Sequence, residues 1–430
     1  MRSKNHVKLP FAPTHYKIRP MLTKQTLTLL TLALSSSLIA LLMLEGGLRL
    51  LPSPPILFEN YGETYVCSPT VGWLGRPHYQ GLLTREEYSH PIQFNGAGMY
   101  DHDHDLAKPP HTWRILWVGD SFAQALQVDE KETAHQQLET MLNERLGSAE
   151  QQFEVINLGM MGWGTAQELA YYREQGQRYQ ADAVVVMFFM GNDVNDNLPG
   201  HALTIDGFNC FAPYFPVCNN QLDPTAWAHV PGLDPAWNSC STGRYAAASG
   251  LSFLQQNSYL WARLEPLMLS WQPRRSYGQE FGLSFAALYL PQESEEVRYG
   301  WQVTEGLLQQ FQQETAANQS KLGVAIIGPR EVVWLATLND AQRQTFYDSA
   351  PAFKTAQIDY PNQRLLTFLQ QHNIPTLDLQ PPMIDYIKQT GAPLYLPIDR
   401  HWTAEGNRVA AELMYNWLVA QNLVPTASAK

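Results

Sequence analysis

Five short apolar runs, separated by stretches of helical character, constrain this chain more than any other feature. They are RILWVG (114–119), FEVINLG (153–159), AVVVMFF (183–189), LGVAIIG (322–328) and IPTLDL (374–379). Runs this short and this continuously apolar suit strands covered on both faces. Helical stretches lie between them, at roughly 130–146, 165–177, 295–318 and 356–372. A last helix is expected after Thr403, a suitable N-cap, with Val409, Leu413 and Trp417 at helical spacing. Strand and helix in repetition imply right-handed crossovers and a parallel sheet, in one α/β domain over 113–430.

One segment breaks the rhythm. Residues 194–294 follow the third strand, carry Pro, Trp, Tyr and three of the four cysteines, and show little periodicity. A hundred residues is too long for a connection, so this is an insertion. It leaves from the carboxyl edge of the sheet, where ligands bind in open α/β folds, and is expected to wall the site. Residues 45–112, rich in Pro, Gly and Tyr, read as a stalk and an N-terminal layer packed on the core.

The N-terminus has a different character. Residues 1–24 hold Arg2, Lys4, Lys8, Lys17, Arg19 and Lys24 and no acid, and Gln25–Leu44 is 20 residues without charge. A helix of that length spans roughly 30 Å, the hydrocarbon thickness of a bilayer. The expectation is a cytoplasmic tail over 1–24, a transmembrane signal anchor over 25–44 and a catalytic domain outside the cytoplasm. Two alternatives are a signal peptide cleaved near Ala33-Leu34-Ser35 and a buried core helix. Beyond Lys24 there remain 23 basic against 40 acidic residues. Such an acid surplus repels phosphate backbones and argues against nucleic acid as a partner.

Cys67, Cys210, Cys218 and Cys240 all follow this segment and lack the C-x-x-C spacing of a zinc site. An oxidising compartment would pair them. Cys210 and Cys218, close in one loop-like stretch, are the favoured pair, though three pairings exist.

The chemistry concentrates where the strands end. Gly119-Asp120-Ser121-Phe122 closes the first strand, so Ser121 stands at the carboxyl edge, before a turn whose N–H groups face an incoming anion. A bland reading is a tight turn; a sharper one is a nucleophile. A serine nucleophile needs a base, and the base an orienting group. Asp399 and His401 in PIDRHWTAEGN (397–407) have that spacing; otherwise they form a surface patch or a helix cap. Asn192, after the third strand in MGNDVNDN, offers an amide to an oxyanion, with Asp193 orienting the loop, or it forms an Asx turn. Gly162, in NLGMMGWGT, offers a backbone N–H, or marks a plain turn. Together the four loops put a nucleophile, a base with its carboxylate and oxyanion donors at one edge of one sheet.

This set resembles the SGNH (GDSL-like) hydrolase superfamily, whose blocks are a G-D-S, a Gly after the second strand, a G-x-N-D and a D-x-x-H. The likeness runs from about Arg114 to Asn422, interrupted by the insertion. It implies a flavodoxin-like three-layer α/β/α sandwich with strand order 2-1-3-4-5. It also implies nucleophile Ser121, acid Asp399, base His401, and oxyanion donors Ser121, Gly162 and Asn192, with Asp120 and Asp193 in support and no cofactor or metal. Two departures stand out: Gly191 directly precedes Asn192, and Asp399-Arg400-His401 is one residue shorter than D-x-x-H. The short form followed by Trp402 is similar to the membrane-anchored and exported bacterial branch associated with acetylated polysaccharides.

The resemblance implies an esterase removing small acyl groups, acetyl foremost, from a cell-envelope or exported carbohydrate. An O-acyltransferase with the same triad is the alternative, and a non-catalytic carbohydrate-binding protein the third. Arg330, in IIGPRE after the fourth strand, is a candidate substrate contact. His102 and His104 in YDHDHD read as a solvated loop sooner than as a metal site. Tyr214, Phe215, Trp227, Trp237, Tyr259 and Trp261 of the insertion either stack on sugars or form its core.

Overall fold

The computed structural model describes residues 24–48, 62–205, 208–224, 287–290, 292–349, 354 and 356–426. It divides into two units, Met1–Pro52 and Ser53–Lys430. In the first, Lys24–Leu48 forms a 25-residue helix. Gln25–Leu44 lies within this helix, and among the described residues no helix is long and apolar enough to cross a membrane. Within it Ser36 turns its hydroxyl back onto the Ala33 carbonyl at 3.0 Å.

The second unit opens with two antiparallel hairpins. β1 (Tyr65–Ser68) pairs with β2 (Gly72–Gly75), and β3 (Gln80–Thr84) pairs with β4 (Ser89–Gln93). Tyr65, Trp73, Ile92 and Phe94 are buried in the same apolar cluster as Leu116 and Val118 of the first central strand. That strand, β5 (Thr112–Gly119), is followed by β6 (Gln152–Asn157) and β7 (Ala183–Phe189). Two small hairpins come next in the insertion: β8 (Ala202–Ile205) with β9 (Phe208–Phe211), and β10 (Val217–Cys218) with β11 (Gln221–Leu222). β12 (Lys321–Ile327) and β13 (Thr376–Asp378) complete the sheet.

The five central strands run parallel in the order β13-β12-β7-β5-β6. Counted along the sheet by chain position this is the expected 2-1-3-4-5. Alternate residues face opposite sides, as period-two strands require. Leu116, Val184, Val186, Phe188 and Ile326 pack with helices Thr165–Glu174 and Glu295–Ala317. Ile115, Trp117, Val185, Met187 and Ile327 pack with helices Ala134–Leu146 and Ala404–Ala420. Both faces of the sheet are therefore covered, which explains why the runs are continuously apolar. Helices Arg330–Thr337, Asp340–Ser349 and Gln380–Thr390 were not read from the sequence.

The disulfide expectation is also corrected. Cys67 on β1 is bonded to Cys210 on β9, with 5.4 Å between their α-carbons and a sequence separation of 143. Nearness along the chain misled because Cys210 and Cys218 lie in separate hairpins. Cys218 is itself disulfide-bonded. Cys240 lies outside the described residues, as do Trp227, Trp237, Tyr259 and Trp261. Tyr214 and Phe215 are buried at 2% and 0% exposure, so they serve the core and present no ring to a sugar.

Candidate active site

β5 ends at Gly119 and the chain turns at once into the short helix Ser121–Gln124. A Cβ at Gly119 would lie 2.9 Å from Met187 Cβ, so glycine lets the turn sit tight against β7. Asp120 caps the helix, its Oδ1 accepting from Phe122 N–H at 2.8 Å. This cap holds Ser121 at the helix start. Neither the Ser121 nor the Gly162 N–H is used by a hydrogen bond among the described residues.

Ser121 Oγ lies 2.6 Å from His401 Nε2, and His401 Nδ1 lies 2.6 Å from Asp399 Oδ1. A carboxylate only accepts, so Nδ1 carries the proton and the Ser121 hydroxyl donates to Nε2. The short D-x-H spacing works because Arg400 has φ +75°, in the left-handed region. That residue folds the Asp399 carboxylate back toward the imidazole two positions on. The Phe122 ring, 4.8 Å from the imidazole, supports its other side.

Two residues of the β3–β4 turn complete this arrangement, and neither was read from the sequence. Tyr88 donates its hydroxyl to Asp399 Oδ2 at 2.8 Å. The Glu87 carboxylate accepts from the N–H groups of Ile398 at 3.0 Å and Asp399 at 2.6 Å. Burial pushes Asp399 up, but the hydrogen bonds and charge of His401 and the Tyr88 hydroxyl outweigh it, and its net shift is down. Asp399 therefore stays ionised beside the imidazole.

Asn192 stands after β7, at the start of the short helix Asp193–Asp196. Its side chain lies beside the carboxyls of Asp120 and Asp196 and offsets part of the cost of burying them. Asp193 Oδ2 accepts from Phe189 N–H at 2.9 Å and so closes the loop. Asp120, Glu168 and Asp193 are fully buried, and Asp120 Oδ2, both Glu168 oxygens and Asp193 Oδ1 lack hydrogen-bond partners among the described residues. Burial, reinforced by their mutual repulsion, pushes Asp193 and Glu168 well up. Burial likewise lifts Asp120 to about 7, against the opposing pull of the Phe122 N–H and His401. Below the nucleophile lies a layer of carboxyls that favours protons over charge.

The loop after β6 reaches the same edge. Gly162 has φ +68°, and a Cβ there would meet only Trp73 Cζ2, at 3.6 Å. Glycine is needed for its backbone angle, not for space. Gln124, buried on the Ser121 helix, accepts from Met161 N–H at 3.0 Å and ties this loop to the nucleophile.

Arg330 is not brought to Ser121 by any contact among the described residues. It sits beside Glu331 at 3.6 Å, and Glu331 also pairs with Arg400 at 3.3 Å. Asp101, His102 and His104 lie close enough to hold a metal ion. The Asp101 oxygens, however, already accept from the N–H groups of His102 and Asn157, from Gln136 and from His104, at 2.8–3.1 Å. These donors make the group an internal ion cluster.

Residues 288–429 match the model of the family described as SGNH hydrolase-like domain, acetyltransferase AlgX. No curated protein sequence matches the chain. Solved structures with similarity include an acetyl xylan esterase, AlAXEase, at 12% identity and TM-score 0.35, covering 70% of this chain and 98% of that one. An acetylxylan esterase from Geobacillus stearothermophilus has 13% identity and TM-score 0.36, covering 73% and 96%. A two-domain esterase active on acetylated mannans has 10% identity and TM-score 0.35, covering 75% and 52%. Residues 288–429, which include Asp399 and His401, carry the SGNH hydrolase-like domain.

Proposed function

We propose that the chain is a serine esterase acting on small acyl groups, acetyl foremost, carried by a carbohydrate. The observation that carries this reading is the unbroken chain of contacts Ser121–His401–Asp399, each link 2.6 Å. Ser121 attacks the ester carbonyl as His401 Nε2 takes its proton, and Asp399 stabilises the imidazolium. The oxyanion rests on the N–H groups of Ser121 and Gly162 and the amide of Asn192. His401 then protonates the leaving sugar hydroxyl, and water resolves the acyl-enzyme. Asp120 and Asp193 hold the two loops in place.

An O-acyltransferase is the second reading, favoured by the acetyltransferase in the description of the matched family. The residues and steps are the same, with a sugar hydroxyl taking the place of water. The Cys67–Cys210 bond supports a location outside the reducing cytoplasm.

The test is turnover of 4-nitrophenyl acetate by the full chain beside Ser121→Ala, then transfer to an oligosaccharide acceptor. Release of nitrophenol that vanishes in the variant supports the reading. Acetylated oligosaccharide in place of free acetate selects the transferase. Carbohydrate binding without turnover in either assay overturns both in favour of a binding protein.

A further inference from the structure

The proposed oxyanion donor Gly162 N–H belongs to the peptide joining Met161 and Gly162. The carbonyl of that same peptide, Met161 O, accepts from the indole Nε1–H of Trp73 at 2.8 Å. A peptide is planar, and its C=O and N–H point in opposite directions. Fixing the oxygen therefore fixes the aim of the N–H. Gly162 needs such a restraint because glycine visits positive and negative φ with similar ease.

Trp73 is itself immobilised. It is 1% exposed, and its carbonyl accepts from Trp163 Nε1 at 3.1 Å. The following peptide is held from the other side. His201 Nε2 donates to Gly162 O at 2.5 Å, and its Nδ1 lies 3.4 Å from Asp196 Oδ1. The Trp73 and His201 rings meet edge to face at 5.2 Å. Cys67, the residue opposite Trp73 across β1 and β2, carries the disulfide to Cys210. His201 adjoins the β8–β9 pair that carries Cys210, through Ala212 N–H to His201 O, 2.8 Å. One cross-link thus staples together the hairpin and the strand pair that supply the two clamps.

We propose that Trp73 is a positioning residue for the oxyanion site, acting through the Met161–Gly162 peptide, with His201 as the second clamp. This rests on the reading of Gly162 as an oxyanion donor. Trp73 contacts no reacting atom; it decides where the donor points when charge develops on the carbonyl oxygen.

The experiment uses the full chain and Trp73→Phe, which keeps an aromatic ring but removes the N–H together with part of the indole's bulk. On 4-nitrophenyl acetate, kcat should fall on the order of tenfold to a hundredfold, the scale of a small misplacement at a reacting centre. KM and the pH profile should be unchanged, because His401 and Asp399 are untouched. Affinity for methylboronic acid, which forms a tetrahedral adduct on the serine, should fall by the same factor. His201→Gln, which retains a donor for Gly162 O, should keep more activity than His201→Ala, a comparison independent of how well Trp73→Phe folds. A Trp73→Phe enzyme with kcat and boronate affinity within about twofold of the parent overturns the positioning role alone. So does a loss accompanied by a shifted pH profile. A parent with no Ser121-dependent turnover overturns this role and the esterase reading together.

Discussion

Tyr88, 311 residues before Asp399 in the chain, donates its hydroxyl to that carboxylate at 2.8 Å. The acid of the proposed triad is thus oriented by the N-terminal hairpins, which lie outside the sheet that carries the nucleophile. A hydrogen bond to a charged group contributes about 1.5–3 kcal/mol. Tyr88→Phe should therefore lower kcat by roughly tenfold, since each 1.4 kcal/mol is about a factor of ten. Steady-state kinetics beside a thermal melt check this: an unchanged kcat in the folded variant would remove Tyr88 from the account.

The left-handed backbone of Arg400, not its charge, is what lets Asp399 reach His401 across a single intervening residue. Arg400→Gly should keep kcat within about threefold, because glycine adopts that φ freely. Arg400→Val should lose most activity, because a β-branched residue is an outlier there. Equal losses in the two variants would point to the Glu331 ion pair instead.

The buried carboxyls set a pH dependence of stability. Burial raises Asp120 to about 7 and lifts Glu168 and Asp193 well above their ordinary range. Each binds more protons folded than unfolded once the pH exceeds about 4, so stability falls as pH rises from there through about 7. Asp399, shifted down, has the opposite sign: its contribution is full above about 4 and is lost as pH falls through its folded pKa. Glu168→Gln should flatten the decline between pH 5 and about 8 in urea titrations, and a slope identical to the parent's would count against the cluster.

The Cys67–Cys210 bond closes a long loop, with 143 residues of separation. Chain-entropy estimates put such a cross-link at up to about 5 kcal/mol. The double variant Cys67→Ser/Cys210→Ser should lower the urea midpoint by a matching amount under non-reducing conditions. An unchanged midpoint would mean that the contacts between the two hairpins suffice without the bond.

The core sheet was legible because its strands are buried on both faces, which forces short, continuous apolar runs into the sequence. Ser121, Asp399 and His401 were legible because each follows or flanks a regular element at the carboxyl edge. What was not legible depends on contacts far apart in sequence. Glu87, Tyr88 and Trp73 lie in hairpins that carry no local sign of their partners, and Gln124 looks like any helical residue. Cys67 pairs with Cys210 through hairpin packing that sequence spacing does not encode.

The central claim is that Ser121 carries the acyl group. Mixing the full chain with 4-nitrophenyl acetate, quenching in acid within the first turnover and mapping peptides by mass spectrometry tests it most directly. The account predicts acetyl on Ser121, absent from Ser121→Ala and scarcely formed in His401→Ala. Turnover that persists in Ser121→Ala, or acetyl found on another residue while Ser121 stays unmodified, would contradict it.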